Sequence, residues 1–472
     1  MLKKHGSKQI ELSGYFEISK ESPKVLYEIN MWIFIPASLN NNSYSKEEFF
    51  DDFNSYTRYN APNLTLNSLN DFLNPKNPLT RLQNISHTKD NFNLIEYELK
   101  TLLNILKVAS IKELATLEAM SRFSRYEAER NAEVQIEKLE DILNKLQKIS
   151  KTSPSIFSTI YNLSLEGVSL RIEKSLYRMY QLFPNKRTFI ISKIDTQRFF
   201  REEMGFKSIT TDDENLNSQV IYREHLIKKW SESIMYITME KSKTLGGIGH
   251  IFLGSAAAIA MLIAGIITIL TARWLGQNSF YWFLTAMLAY SLKDRIKEIL
   301  KAIFLRKMST LFSDRVNDIV APRNRHRCGK SKESVSFPKF YNITSDVKTL
   351  RFNDKHDLDI KKYQEDIIHY KKSVTIRTKT LYKKHSRLFG IKEIMRFDFR
   401  RWFHKMDKKT ERCFMPKGES LAPVKGDREY HFTLIIKVRN NNKTTLERYR
   451  IIANSHKIRK IEKESKRLDE ED

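Results

Sequence analysis

The most constraining feature of this chain is a stretch without acidic or basic residues, Leu245–Ala272, near the middle of its 472 residues. A helix needs roughly 20 apolar residues to cross the hydrocarbon layer of a bilayer. This stretch exceeds that length, and its one titratable residue is His250, near its start. A core helix of a soluble protein is seldom apolar on every face over such a length. The stretch therefore predicts a transmembrane helix.

A second stretch without charges, Trp274–Leu292, follows directly after Arg273. It has about the minimum length for a span. Aromatic residues near its ends resemble the aromatic belts of membrane interfaces; they are Trp274, Tyr281, Trp282 and Tyr290. A buried helix of a soluble core is the alternative, but a single span would leave this stretch as an isolated apolar helix. Together the two stretches predict a central transmembrane helical hairpin over 245–292.

Basic residues are concentrated outside the predicted hairpin. Lys241 and Lys243 precede it, and only Arg273 lies in its turn. Six basic residues follow it: Lys293, Arg295, Lys297, Lys301, Arg306 and Lys307. The positive-inside rule then places both ends in the cytoplasm and the turn outside. The predicted location is the cell inner membrane, multi-pass, with both termini cytoplasmic.

The segment directly after the hairpin is a candidate functional site, formed by Lys293, Asp294, Arg295, Lys297 and Glu298. One interpretation is an orientation signal that contacts anionic headgroups. The two acidic residues would be repelled by such a leaflet. Because several of these charges are three or four residues apart, a helix-surface network or a contact with a partner protein fits the segment equally well.

Small residues recur along the first span at Gly254, Ala258 and Gly265. Small residues four apart allow helix backbones to approach closely in lipid. Their partner is either the second span of the same chain or a second copy, which would make a homo-oligomer. Neither span carries a charged residue, so the pair offers no groups for the ion relay of a pump or transporter.

The net charge of +26 is unevenly distributed. The part from Lys293 to Asp472 has 47 basic and 25 acidic residues, a net charge of +22. Such an excess suggests a partner that is anionic lipid or nucleic acid. The alternative is a lysine-rich surface in contact with solvent only. Within this part, Arg396–Lys405 interleaves basic and aromatic residues, as expected either for base stacking or for a half-buried strand.

The regions outside the hairpin have their own patterns. Apolar residues alternate along Val25–Ile35, which predicts a strand. Ser45–Glu48 predicts a capping box that starts a helix carrying Phe49, Phe53 and Tyr56. Asp90–Leu182 is helical in pattern with a break at Ser153-Pro154, and a last helix over Asn215–Lys243 is expected to run into the first span. Short β-rich segments follow: Ile391–Phe403, His431–Val438 and Arg448–Ala453.

These patterns predict a membrane protein of the α+β class, with a mainly helical N-terminal cytoplasmic region and a mainly β C-terminal cytoplasmic domain. The predicted segments are 1–88 (α+β), 89–244 (helical), 245–292 (transmembrane hairpin), 293–334 (basic juxtamembrane helix and linker) and 335–472 (basic, mainly β, with a charged tail).

Catalytic motifs are incomplete. Cys328-Gly-Lys-Ser331 matches the end of a Walker A motif, but Asn324 stands where its first glycine belongs. His326 and Cys328 could supply two metal ligands, yet no second pair follows at zinc spacing. The two cysteines, Cys328 and Cys413, indicate no dependence on disulfides. The sequence therefore predicts no enzyme, cofactor or metal site.

Several motifs carry a family resemblance. They are Phe34–Pro36, Tyr44–Phe49, Lys293–Glu298, Lys405–Asp407, Glu447–Ile452 and Ile458–Glu462. With these motifs the chain resembles a family of two-span bacterial inner-membrane proteins of mostly hypothetical members. That family is similar to the transmembrane effectors encoded beside bacterial retrons, in which a reverse transcriptase and its DNA–RNA product restrain the effector until phage infection.

What the resemblance implies is a membrane-perturbing effector of antiphage defence by abortive infection, kept inactive by cytoplasmic partners. A different class of function stays open, a constitutive membrane-anchored scaffold or regulatory protein without toxicity. Genomic neighbours would separate the two, because an adjacent reverse transcriptase gene favours the effector and housekeeping neighbours favour the scaffold.

Overall fold

A computed structural model describes residues 2–18, 22–39, 44–60, 62–211, 213–242, 244–276, 280–311, 313–320, 327–352, 365–382, 390–418, 420–440, 443–464 and 470–471. Side chains are described for these ranges except 244–253, 275, 304–311, 352, 382 and 470–471. The predictions on Asn324, His326 and the turn near 277, and on the side chains of His250, Arg306 and Lys307, lie outside the described residues.

The helices of the described chain are α1 (Lys46–Asp52), α2 (Leu66–Asn70), α3 (Pro78–Asn84), α4 (Phe92–Ser121), α5 (Arg125–Thr152), α6 (Ser158–Leu182), α7 (Arg187–Glu203), α8 (Glu214–Glu232), α9 (Thr244–Leu275), α10 (Phe280–Leu311), α11 (Ser345–Phe352), α12 (Thr378–Tyr382) and α13 (Arg400–Phe403).

The strands are β1 (Leu2–His5), β2 (Gln9–Glu17), β3 (Lys24–Pro36), β4 (Phe53–Tyr59), β5 (Thr238–Lys241), β6 (Arg315–Val320), β7 (Arg327–Ser336), β8 (Glu365–Arg377), β9 (Gly390–Asp398), β10 (Thr410–Lys417), β11 (Ser420–Asp427), β12 (Tyr430–Asn440), β13 (Lys443–Ala453), β14 (Ile458–Glu464) and β15 (Glu470–Glu471). The chain is therefore mixed α and β, as predicted at that level.

The chain divides into two compact units. Unit 1 combines 1–56, 238–384 and 393–472, and unit 2 combines 57–237 with 385–392. The five predicted segments do not coincide with these units, because strands from the N-terminal, middle and C-terminal parts pair in one sheet. That sheet has the order β14-β13-β12-β3-β8-β7-β6-β5, with β15 added beside β13.

Strand β3 lies inside this sheet, antiparallel to β12 on one side and to β8 on the other. Its predicted alternation is present, since Val25, Tyr27 and Ile29 are buried and their neighbours are more exposed. The run from Met31 to Ile35 is buried on both faces, as expected for a strand inside a covered sheet. The strand prediction for Val25–Ile35 is confirmed.

Two local predictions need correction. The capping box is present, because the Ser45 hydroxyl accepts from the Glu48 N–H and the Ser45 N–H donates to the Glu48 carboxylate. However, α1 ends at Asp52, and Phe53 begins β4, so the prediction of Phe53 and Tyr56 on this helix is wrong. The helix predicted over Asn215–Lys243 also ends early, at Glu232. The residues after it form β5, whose backbone pairs with β6.

A buried ionic cluster lies in the centre of unit 1. The Lys372 ammonium, fully buried, is 2.8 Å from the Glu393 carboxylate and 3.7 Å from that of Glu333, and it donates to the Ser55 hydroxyl at 2.7 Å. The Tyr27 hydroxyl donates to the other Glu393 oxygen at 2.5 Å. Burial raises the pKa of Glu333, and the nearby Lys372 opposes this rise. The cluster is closed to solvent, so it pins β3, β7, β8 and β9 rather than meeting a substrate.

Unit 2 is mainly a helical bundle in which α4 packs against α5, α6 and α8. Leu102, Ile105 and Leu106 of α4 are fully buried. So are most of the α5 residues predicted on one stripe, but Val134 is exposed. The predicted break at Ser153-Pro154 separates α5 from α6. A second break, which was not predicted, falls at 122–124, where the Ser124 hydroxyl caps α5.

Candidate membrane-binding elements

Helix α9 contains the apolar stretch that dominates the sequence. Among the residues that the structure describes, one helical segment is long and apolar enough to cross a membrane by length and composition, namely Gly254–Trp274 with 21 residues. Only 11% of its most apolar window is buried inside the protein. A core helix of a soluble protein would be mostly buried, so the outward face of α9 requires an apolar environment from elsewhere.

The second predicted span begins in the wrong place. Trp274 and Leu275 belong to α9, and Gly276 follows with a φ of 76°, a left-handed conformation that favours glycine at a helix end. Helix α10 begins at Phe280, so its uncharged part is Phe280–Leu292, 13 residues. At 1.5 Å per residue this part is only about 20 Å long, against ~30 Å of hydrocarbon. The two-span topology over 274–292 is therefore not supported by helix length.

The two helices pack against each other as a hairpin. Lys293 and Leu262 each lie 13 residues from the turn-side end of their helix, and Lys297 and Ala258 each lie 17 residues from it. Because paired antiparallel helices rise equally per residue, these pairs lie at similar levels. The charged start of the second half of α10 therefore lies beside the apolar first half of α9.

The small residues of α9 divide between two faces. Ala256 and Ala260 are fully buried. Gly254, Ala258 and Gly265 are exposed, and a Cβ added to either glycine would meet no atom within 4 Å. The face predicted to pack therefore lies outside the contact with α10, while the alanines between its members are covered.

The juxtamembrane residues also divide between faces of α10. Lys293 and Lys297 are half-buried, and the Lys293 ammonium lies 3.9 Å from the centre of the Tyr290 ring. Asp294, Arg295 and Glu298 are exposed, and Arg295 pairs with Glu298 at 3.5 Å with i,i+3 spacing. Such an exposed pair contributes little to stability, so these charges remain accessible to lipid or protein.

A second exposed apolar element was not predicted. Strands β10 and β11 form a two-stranded sheet of their own with almost every residue exposed. Pro416 and Gly426, interpreted as separators between strands, lie inside it, and Gly418 makes the turn with a φ of 64°. Its large exposed apolar residues are Phe414, Met415, Leu421 and Val424. The sequence signal was a glycine between two short apolar runs.

This β-hairpin also carries opposed like charges. Arg412 and Lys425 are directly opposite each other in the strand register, and like charges at such positions are destabilising. No carboxylate of a described residue lies within 4.0 Å of either cation. By contrast, Arg428 at the base pairs with Asp407 and Glu411 at 3.1 and 2.9 Å. The distal half thus combines apolar side chains with cations that an external anion would neutralise.

The aromatic and basic stretch Arg396–Lys405 is part of the core. Phe397, Phe399 and Trp402 are buried and contact one another. The basic residues pair internally: Arg396 with Glu11, Arg400 with Asp398, and Arg401 with Glu48 and Asp52. Arg400–Phe403 is helical rather than extended. No ring of this stretch is free to stack on a base.

The Walker-like fragment lies in strand β7, between β6 and β8. A Cβ on Gly329 would lie 2.3 Å from the Thr375 carbonyl oxygen, so this glycine serves close strand packing. Cys328 and Ser331 are fully buried. The described ranges contain no group of three side chains that could hold a metal ion. No family model, curated protein or solved structure matches the chain.

Proposed function

We propose that the chain is a membrane-perturbing effector whose active element is the α9–α10 hairpin. The observation that carries the proposal is the mismatch between its helices, since α9 offers 21 apolar residues and α10 offers 13, eight fewer. Eight residues correspond to about 12 Å of helix. When the hairpin spans the inner membrane, the charges that begin at Lys293 lie at the level of lipid tails.

A bilayer accommodates charges at that depth by thinning locally and by admitting water and headgroups. Each charge left in the hydrocarbon centre would otherwise cost ~2.5–3.5 kcal/mol. The mismatched hairpin therefore perturbs the cytoplasmic leaflet around itself without a catalytic reaction. Both flanks remain cytoplasmic, which agrees with the basic residues beside the hairpin.

Self-association would concentrate the perturbation. The exposed face with Gly254, Ala258 and Gly265 lies outside the contact with α10, and small residues at this spacing support close helix contact in lipid. We expect Gly254→Leu with Ala258→Leu to abolish membrane depolarisation while insertion persists. Ile259→Leu, a change on the same helix that adds no bulk, is the control. Undiminished depolarisation in the double variant would remove self-association from the mechanism.

The mismatch itself is tested by lengthening the apolar part of α10. Replacing Lys293, Asp294, Arg295, Lys297 and Glu298 by leucine or alanine extends that part to Leu300, which makes 21 residues. We expect this variant to insert and to lose depolarisation, measured with a potential-sensitive dye after induced expression. The control replaces Lys293 and Lys297 by arginine. A lengthened variant as damaging as the parent would refute the mechanism.

The family resemblance supports restraint by cytoplasmic partners, a reverse transcriptase and its DNA–RNA product, within an antiphage defence system. The β10–β11 hairpin supports anionic lipid as the partner of the basic C-terminal part, because its exposed side chains are mainly aliphatic rather than stacked rings. A constitutive scaffold is the contrasting function. Expression of the chain alone separates them, because the effector depolarises cells without its partners and a scaffold leaves the potential unchanged.

A further inference from the structure

Unit 2 contains a cavity of about 430 Å³ between α4, α6 and α8. This volume falls within the range of ~300–1,000 Å³ that is typical of small-molecule sites. Its apolar wall includes Leu103, Leu170 and Ile227. Gly167 lies at the closest approach of the three helices, where an added Cβ would be 3.0 Å from Leu103 and 3.1 Å from Ile227. The missing side chain at 167 thus lets the helices meet behind the cavity.

The remaining wall is strongly basic. Lys107 of α4, Arg171 and Lys174 of α6, and His225 and Lys228 of α8 line it, beside only two carboxylates, Glu224 and Glu232.

Both carboxylates are already paired. Glu232 contacts Lys107 and also lies 3.6 Å from Arg58, and Glu224 pairs with Lys174. Among the described residues, no carboxylate lies within 4.0 Å of Arg171 or Lys228. The cavity therefore holds two cations in excess of its acidic residues.

Arg171 is the least satisfied of these cations. Burial lowers the pKa of its guanidinium, and Glu232 only partly opposes this effect. Burial and the neighbouring Arg171 also lower the pKa of Lys174. A desolvated cation next to other cations is unfavourable unless an anion joins them. The planar guanidinium fork matches the oxygens of a phosphate group.

We propose that this cavity binds a phosphorylated small molecule, with Arg171, Lys174 and Lys228 around the phosphates and the leucine and isoleucine wall against the apolar part. The site lies wholly in unit 2 and does not depend on the proposed action at the membrane. It gives the chain a chemical input that is separate from its membrane-binding elements.

The test is isothermal titration calorimetry of the full-length protein in detergent, with inorganic pyrophosphate and ATP as probes. We expect Arg171→Gln to weaken the binding of both probes by about tenfold or more, as for the loss of a charge-assisted hydrogen bond. Arg130→Gln, an exposed arginine on α5, is the matched control and should bind like the parent. Tighter binding of ATP than of pyrophosphate is expected from the apolar wall.

Thermal unfolding without ligand distinguishes a binding residue from a structural one. Since Arg171 is repelled by its neighbours when the cavity is empty, Arg171→Gln should unfold at the same temperature as the parent or higher. A lower unfolding temperature would assign Arg171 to a structural ion pair and overturn the proposal. Failure of the parent to bind either probe at millimolar concentration, or equal binding by Arg171→Gln, would also overturn it.

Discussion

The thickness of the bilayer around the hairpin can be measured with two lysine substitutions on the exposed face of α9, Ala258→Lys and Ile269→Lys. The centre of the candidate span Gly254–Trp274 is residue 264. Positions 258 and 269 are six and five residues from it, or about 9 and 8 Å along the helix. In a bilayer of ordinary thickness centred there, the two lysines would be equally costly.

A thinned bilayer gives a different result. If the apolar layer matches the short part of α10, its α9 side covers about 263–275, with residue 269 at its middle. Ile269→Lys then costs ~2.5–3.5 kcal/mol. Ala258→Lys lies at the level of Lys297, among headgroups, where a basic residue contributes ~1 kcal/mol of attraction. The two variants should therefore differ by ~3 kcal/mol or more, roughly a hundredfold in partitioning.

The assay is the partition of purified protein between liposomes and solution, with Ala258→Gln and Ile269→Gln as uncharged controls for altered size and polarity. The lysine-minus-glutamine difference isolates the charge at each position. Equal charge penalties at the two positions would refute local thinning, because they are the result expected for an undistorted bilayer centred on α9.

Three further predictions concern unit 1. Lys372→Met should cost ~3–5 kcal/mol because it leaves buried carboxylates unpaired, and addition of Glu393→Gln should recover part of this loss in urea unfolding; additive costs would contradict a coupled pair. Burial, with a smaller effect of Lys371, lowers the pKa of His369 to about 4, so stability present above the unfolded pKa of ~6.5 should fall by up to ~3 kcal/mol as pH drops from 6.5 to 4. His369→Phe should lose this pH dependence, and an unchanged pH profile would refute it. Phe414→Ser with Leu421→Ser should weaken binding to phosphatidylglycerol vesicles more than to phosphatidylcholine vesicles; preserved binding to both, with gained sensitivity to nucleic acid, would assign the β-hairpin to nucleic acid.

Local patterns in the sequence predicted local structure well. The period of two in β3 and the Ser45–Glu48 capping box are properties of adjacent residues, so both could be identified without tertiary information. The same holds for the helical stripes of α4 to α6. The exact partners of β3 could not be predicted, because strands β8 and β12 come from distant parts of the chain and sheet register depends on their meeting.

The sites of interest were hidden for related reasons. Lys372 alternates with apolar residues in β8 and would be assigned to a wet face, yet it is fully buried beside Glu393. The cationic cavity collects Lys107, Arg171 and Lys228 from three helices, and each helix alone shows only an ordinary charged surface. The β10–β11 hairpin was missed because its proline and Gly426 were interpreted as breakers, although two-stranded edges tolerate both.

The correction at the second span has a functional consequence because it changes where lipid ends. Counting uncharged residues from Trp274 gave a stretch long enough to cross, but a helix turn takes Leu275 and Gly276 out of α10. What remains is 13 apolar residues facing 21. A pair of equal spans would anchor a protein without disturbing its membrane, which is what a scaffold requires. An unequal pair places Lys293, Lys297 and their acidic neighbours where lipid tails should be, and the bilayer must deform or the hairpin must withdraw. Restraint by a cytoplasmic partner needs only to hold the hairpin withdrawn, since release then makes deformation the consequence of insertion.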